Sequence, residues 1–143
     1  MTVHIIFSTQ ARLPYLKPEH RPTLFSYLAG IAGSESSHVY EIGGIDDHVH
    51  VLVSLPRTQT LAKLVELLKK SSSKWLKTQS PALKPFAWQN GYGAFSVSAS
   101  QIEGVRHYIR NQEQHHQKST FQNELLVLLR ASNVPFDEKY LWD

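Results

Sequence analysis

The spacing of hydrophobic residues changes several times along the chain and predicts eight elements. Short β-branched or aromatic runs predict strands, while apolar residues three and four positions apart predict one helical face. The predicted strands cover residues 3–8, 38–42, 48–55 and an interrupted pair of segments at 86–89 and 94–97. The predicted helices cover residues 19–32, 61–77 and 100–117, and an apolar helical stripe follows at 121–129. The resulting order is βαββαβαα.

The first six of these elements match the ferredoxin-like pattern. We therefore expect an α+β fold in which a four-stranded antiparallel sheet carries helices on one face. The other face is then available for a functional site. We expect a single domain over residues 1–143, with a core at about 3–117 and a C-terminal helix and tail at 118–143.

Composition removes several classes of function. The chain has 143 residues and no cysteine, which excludes disulfides, thiolate metal sites and cysteine nucleophiles. The N-terminal residues have no basic region before an apolar run, and no apolar run approaches the ~20 residues of a membrane span. These features predict a cytoplasmic protein with no membrane partner.

Charge is concentrated in one segment, although the net charge of the whole chain is only +3. Residues 57–84 contain one acidic residue, Glu66, and seven basic residues: Arg57, Lys63, Lys69, Lys70, Lys74, Lys77 and Lys84. Such a segment is typical of a surface that binds a polyanion. It is equally typical of a solvated helix face.

Two histidines stand two positions apart in the third predicted strand, in the sequence His48-Val49-His50. Side chains two apart in a strand project from the same face. Two imidazoles placed in this way can bind one metal ion, and the preceding Asp46 and Asp47 could orient them. The alternative is that both histidines are ordinary half-buried polar residues.

The late helix carries a second constellation, Tyr108-Ile-Arg-Asn-Gln112. Tyr108 and Gln112 are four residues apart and therefore neighbours on one helical face. Ser100 and Glu103 have the spacing of a capping box at the start of this helix. A tyrosine beside an amide and a metal could act as a nucleophile, although an amphipathic tyrosine with a buried ring fits as well.

Two further groups of residues are less specific indicators of function. His107, His115 and His116 could face solvent or lie near a phosphate. The segment 88–93 could stack unpaired bases on its aromatic side chains, or it could form a glycine-hinged turn with buried aromatic rings.

These features together resemble the single-tyrosine HUH transposases, small bacterial enzymes that act on single-stranded DNA. The matching features occur in the same order as in that family. They are the opening strand at 4–9 leading to Arg12, the segment 47–50, the segment 88–96, and the helix segment 108–112. A histidine pair alone is a weak signal, but its combination with Tyr108 and Gln112 in so short a chain is fairly specific.

The resemblance implies a specific chemistry. His48 and His50 would bind Mg²⁺ or Mn²⁺, with Gln112 as a third ligand, and Tyr108 would attack the scissile phosphate to form a 5′-phosphotyrosine. It also implies a homodimer, a ferredoxin-like core with a C-terminal catalytic helix, and recognition of DNA hairpins near element ends. The implied setting is the bacterial cytoplasm, at the nucleoid. The residues expected to contact DNA are Arg12, Lys63, Lys70, Lys74, Lys77 and Arg110.

Two alternatives remain open at this point. The chain could be a ferredoxin-like module that binds single-stranded nucleic acid without cutting it. It could also be a zinc-dependent hydrolase that uses His48, His50 and one of the helical histidines. A covalent protein–DNA adduct that requires Tyr108 separates the transposase from both alternatives.

Overall fold

The structure is a computed structural model, and it describes residues 1–115 and 121–131. The helical expectations for His116 and for residues 117–120 lie outside the described residues, as does the tail from residue 132 onward. The strands are β1 (Thr2–Ser8), β2 (His38–Gly44), β3 (His48–Ser54) and β4 (Gly93–Ser96). The helices are α1 (Arg21–Ser34), α2 (Leu61–Leu76), α3 (Ile102–Arg110), α4 (Gln112–His115) and α5 (Phe121–Ala131).

The four strands form one antiparallel sheet in the order β2-β3-β1-β4. This is the strand order that the ferredoxin-like βαββαβ pattern produces, and it confirms the expected fold class. The two central strands are paired so that Ser8 lies opposite His48 and Ile6 lies opposite His50. The candidate histidines therefore stand in the middle of the sheet.

One face of the sheet packs against α1 and α2. Alternate residues of β1 and β3 point to this side, and leucines at helical spacing on α2 cover them. The core on this face includes Val3, Ile5, Phe7, Val49, Val51, Val53, Leu64, Leu68 and Leu76. This is the helix-covered face that the sequence pattern predicts.

The opposite face is also covered, by α3 and α5. Ile109 of α3 is fully buried and Leu125 of α5 is 7% exposed. The close approach of α3 requires Gly43 in β2, because a Cβ at that position would lie 2.5 Å from the backbone oxygen of Ile109. The second face is thus available for a site, as expected, but two helices close over it.

The fourth strand is shorter than predicted. Residues 86–89 do not form a strand, and Trp88 makes a single β-bridge with Thr9. The Trp88 indole turns into the core and donates to Ser72 Oγ at 3.0 Å. Sequence alternation could not show this, because the bond is formed with a distant helix.

The late helix also differs from the prediction at both ends. Its capping box is formed by Ser98 and Gln101, while Glu103 pairs with Arg106 on the helix surface. The helix does not continue to residue 117 without a break, because Asn111 leaves helical geometry and its amide donates to the His107 carbonyl at 3.0 Å. Among the described helices, none is long and apolar enough to cross a membrane.

Candidate active site and metal centre

His48 and His50 project from β3 onto the face covered by α3 and α5. Both side chains are completely buried. The strand alternation that places Val49 and Val51 in the core places these two imidazoles on the other side. The sequence prediction that they share one face is confirmed.

Both imidazoles are oriented through their Nδ1 atoms. Asp47 Oδ1 lies 2.8 Å from Nδ1 of His48, and His4 Nε2 lies 2.8 Å from Nδ1 of His50. In metal-binding histidines, the ring nitrogen that does not bind the metal typically forms a hydrogen bond of this kind, which fixes the orientation of the ring. The Nε2 atoms of both rings therefore face the interior of the site. Asp46, the other predicted support, instead forms an ion pair with Arg21.

The surroundings shift the pKa values of two of these histidines in opposite directions. Burial, together with the neighbouring His50, lowers the pKa of His4 to about 3, although Glu124 opposes the shift. His4 is thus a neutral partner for His50 at physiological pH. Burial also disfavours charge on His48, but its hydrogen bonds to Asp47 and Glu124 outweigh burial and raise the pKa of His48.

Gln112 and Tyr108 are brought to the histidines from α4 and α3. Gln112 is 1% exposed, and its Oε1 lies 3.2 Å from His48 Nε2. The Tyr108 ring stands edge-on to His50 with 5.7 Å between the ring centroids. The helix breaks at Asn111, yet the Gln112 amide still faces the Tyr108 carbonyl at 3.4 Å, so the predicted pair stays together.

Glu124 of α5 is a site residue that the sequence analysis missed. It is 3% exposed, and its carboxylate accepts hydrogen bonds from the Tyr108 hydroxyl and from the Gln112 amide. Burial, and next the Glu124 charge, raise the pKa of the Tyr108 phenol well above its usual range. In this arrangement Tyr108 is a protonated phenol at neutral pH.

The donor set fits a divalent metal ion. Glu124 Oε1 lies 3.0 Å from His50 Nε2, and Glu124 Oε2 lies 3.4 Å from His48 Nε2. Ligand atoms that bind one ion at about 2.1 Å are themselves about 3.0–3.4 Å apart in octahedral or tetrahedral geometry. One atom from each of His48, His50 and Glu124 lies within 4.8 Å of the others.

The residues predicted to contact DNA do not lie together. Four exposed lysines lie on α2 or at its C-terminal end, on the side of the sheet opposite to the histidines: Lys63, Lys70, Lys74 and Lys77. Arg110 is on α3, close to the site, and pairs with Glu41 at 3.0 Å. Arg12 lies in the turn after β1, at a left-handed backbone position with a φ of 52°.

Of the less specific candidates, the side chains that the structure describes lie outside the buried His-His-Glu cluster. His107 is exposed and neighbours Asn111, and it is not part of the buried cluster. The backbone of His115 closes α4, and His116 lies outside the described residues. Of the aromatic residues in the segment 88–93, Trp88 belongs to the core and Tyr92 is 42% exposed.

The fold and the site together define an α+β protein with a tyrosine beside a buried His-His-Glu cluster. The sequence profile described as "Transposase IS200 like" matches residues 1–112. The chain belongs to this family of IS200-like transposases, and the resemblance seen in the sequence is confirmed. The matched region contains the histidine pair, Tyr108 and Gln112, and it ends before Glu124.

Solved structures agree on the fold. A protein provisionally described as a transposase, from Deinococcus radiodurans R1, superposes with a TM-score of 0.62 at 23% identity, over 78% of this chain and 90% of that chain. A REP-associated tyrosine transposase bound to a REP hairpin also superposes with a TM-score of 0.62, at 14% identity, over 80% of this chain and 67% of that chain. No curated protein sequence matches the chain.

Proposed function

We propose that this transposase cleaves and rejoins single-stranded DNA through a covalent bond to Tyr108, with the help of a divalent metal ion. One observation carries the proposal. The Tyr108 hydroxyl reaches the same buried pocket as His48 and His50 within a single chain, in hydrogen-bond contact with Glu124. A nucleophile next to a set of metal ligands is an arrangement suited to phosphoryl transfer through a covalent intermediate.

The proposed reaction has two steps, and both take place at the Tyr108 oxygen. The Tyr108 oxygen attacks the phosphorus, and the bond from phosphorus to the 3′ oxygen of the preceding nucleotide breaks. The phenol gives up one proton and the departing 3′ oxygen takes up one proton, so protons balance over the step. That strand is released with a 3′-hydroxyl, and the other strand keeps its 5′ phosphate on Tyr108. Attack by a second 3′-hydroxyl then restores the phosphodiester and the free tyrosine, so that no nucleotide cofactor is consumed.

His48, His50 and Gln112 are the proposed protein ligands. Mg²⁺ or Mn²⁺ bound there would polarise the scissile phosphate and stabilise the charge that develops on it. The neutral His4 and the charged Asp47 keep the two imidazoles oriented, since each contacts one Nδ1. Two imidazole ligands favour Mn²⁺ over Mg²⁺ in this role.

The proposed substrate is single-stranded DNA with a hairpin, bound by a homodimer. The structural neighbour bound to a REP hairpin supports this choice. The exposed lysines of α2, together with Arg12 and Arg110, are the proposed phosphate contacts, because basic side chains gain affinity by releasing counterions from DNA.

The test is an adduct assay with single-stranded DNA from the flanks of the protein's own gene. We expect an SDS-stable protein–DNA adduct that forms with Mn²⁺, is lost with a chelator and is lost in Tyr108→Phe. Tyr92→Phe is the matched control, because Tyr92 is exposed in the loop before β4, and it should keep the adduct.

Each alternative predicts a different result in this assay. Hairpin binding without an adduct would support a single-stranded DNA-binding module, and the raised pKa of Tyr108 is the observation that favours this second candidate. Cleavage that persists in Tyr108→Phe and requires zinc would support a hydrolase.

A further inference from the structure

We propose that Glu124 is a protein ligand of the metal ion, so that the C-terminal helix α5 supplies the negatively charged member of the metal centre. The inference rests on the proposed binding of a divalent ion by His48 and His50. It adds a residue that lies outside the matched region 1–112. It also gives α5 a direct part in metal binding.

The geometry supports ligation by both histidines and the carboxylate together. Asp47 and His4 occupy the Nδ1 atoms, so each imidazole offers Nε2. Each Nε2 lies against a different oxygen of Glu124, at 3.4 Å from His48 and at 3.0 Å from His50. These are separations expected between neighbouring ligand atoms on one ion.

The charges of the ion and of its proposed ligands also support ligation by Glu124. Two neutral imidazoles and the Gln112 amide carry no charge, although the ion that they would hold carries two positive charges. Glu124 is 3% exposed, and besides the neutral Tyr108 and Gln112 it contacts only the two histidines that would hold the ion, among the contacts described here. A buried carboxylate is costly unless it is paired with a cation or bound to a metal.

Adding the Glu124 carboxylate also makes the set of ligand atoms more suitable for Mn²⁺ and Mg²⁺. Two imidazoles alone favour late transition metals, whereas carboxylate and carbonyl oxygens favour Mn²⁺ and Mg²⁺. Glu124 and Gln112 together place two oxygen donors beside two nitrogen donors. The structure therefore predicts that a site containing Glu124 binds Mn²⁺ more tightly than a site without it.

Ligation by Glu124 couples the ion to the position of α5. A ligand that binds the state with α5 seated stabilises that state against opening. Bound Mn²⁺ should therefore slow hydrogen exchange of the α5 amides. This effect can be measured on the unaltered protein.

The experiment measures Mn²⁺ affinity of the full chain by calorimetry, without DNA. We expect Glu124→Gln to weaken binding about tenfold or more, which is the size of loss seen even for groups that only support a ligand. Glu103→Gln removes the same charge from the exposed surface of α3 and should leave the affinity unchanged. His48→Ala should abolish binding.

The outcomes separate this inference from the proposed function. If Glu124→Gln binds Mn²⁺ like the wild type while His48→Ala does not, Glu124 is not a ligand and the metal site stands. If the wild type does not bind Mn²⁺, both proposals are overturned. Should Glu124→Gln fail to fold, hydrogen exchange of wild-type α5 decides, since equal rates with and without Mn²⁺ would contradict ligation.

Discussion

The two faces of the central sheet are both buried, but they contain different chemistry. On one face, valines of β1 and β3 pack against leucines of α2 in an apolar core. On the other face, His4, His48 and His50 lie under α3 and α5, next to Gln112 of α4 and Glu124 of α5, and each of these five is at most 3% exposed. The same strand, β3, contributes to both.

Because of this difference, alternate residues of one strand have different roles: some stabilise the fold and others form the candidate site. An apolar core stabilises the fold by removing hydrocarbon from water, and any well-packed side chain of the right size serves. Buried polar groups cost stability unless they are paired, and those of the second face are held in specific hydrogen bonds. We call the side packed against α1 and α2 the core face, and the side that carries His48 and His50 the histidine face. We therefore expect substitutions on the core face to change mainly the free energy of unfolding and those on the histidine face to change mainly DNA cleavage.

The sharpest test of this comparison is a pair of substitutions, one for each face. His50→Ala should reduce metal-dependent cleavage by about 100-fold or more, because metal polarisation contributes several kcal/mol to such a step. Leu68→Ala should cost about 2–5 kcal/mol of unfolding free energy and leave cleavage per folded molecule unchanged. Denaturant titration and single-turnover cleavage check the pair. Equal losses of cleavage in both variants would contradict the separation.

The seating of α3 over the histidine face provides the second test. Gly43→Ala would place a Cβ against the Ile109 carbonyl, so α3 must shift and carry Tyr108 away from the histidines. We expect a loss of about 1–3 kcal/mol in stability together with a clear loss of cleavage.

Gly104→Ala is the matched control on the same helix. A Cβ at position 104 meets no atom within 4 Å. This variant should be stabilised by about 0.5–1 kcal/mol and keep its cleavage rate. If Gly43→Ala and Gly104→Ala behave alike, the close approach of α3 to β2 does not position the proposed nucleophile, Tyr108.

Gln112→Ala tests whether Gln112 is a metal ligand, as proposed, and should have a smaller effect. It removes one neutral oxygen that lies 3.2 Å from His48 Nε2, so cleavage should fall about tenfold at limiting Mn²⁺ while hairpin binding is retained. Gln114→Ala, on the exposed side of α4, is the control. Unchanged Mn²⁺ dependence in Gln112→Ala would remove Gln112 from the ligand set.

The smallest expected effect concerns the exposed lysines of α2. Replacing Lys70, Lys74 and Lys77 with glutamine should reduce the slope of log affinity against log salt by about 2–3 if each contacts a phosphate of the hairpin DNA. The measurement is hairpin binding at several salt concentrations. An unchanged slope would show that these lysines face solvent and do not contact DNA phosphates.

The sequence predicted the face assignments well because they depend on local alternation. Val49 and Val51 alternate with His48 and His50, and this period of two is a property of any strand. The pairing of Tyr108 with Gln112 also survived the break at Asn111, since side chains four residues apart stay close over one turn.

The sequence could not place Glu124 and His4 in the candidate site, because their contacts join distant parts of the chain. Glu124 lies three residues after Phe121 and four before Leu128, and is therefore a charged residue on an apolar helical stripe. That pattern is a weak signal of a buried carboxylate. Only the packing of α5 on the sheet shows that this carboxylate meets the histidines.

If the side of the sheet that carries His48 and His50 performs covalent chemistry on DNA as we propose, the DNA becomes linked to Tyr108. The most direct measurement is mass spectrometry of the peptide that remains linked to DNA after an Mn²⁺-dependent reaction is stopped and digested. We expect a nucleotide linked through its 5′ phosphate to Tyr108. A nucleotide linked to any other residue, or strand transfer with no linked peptide, would contradict it.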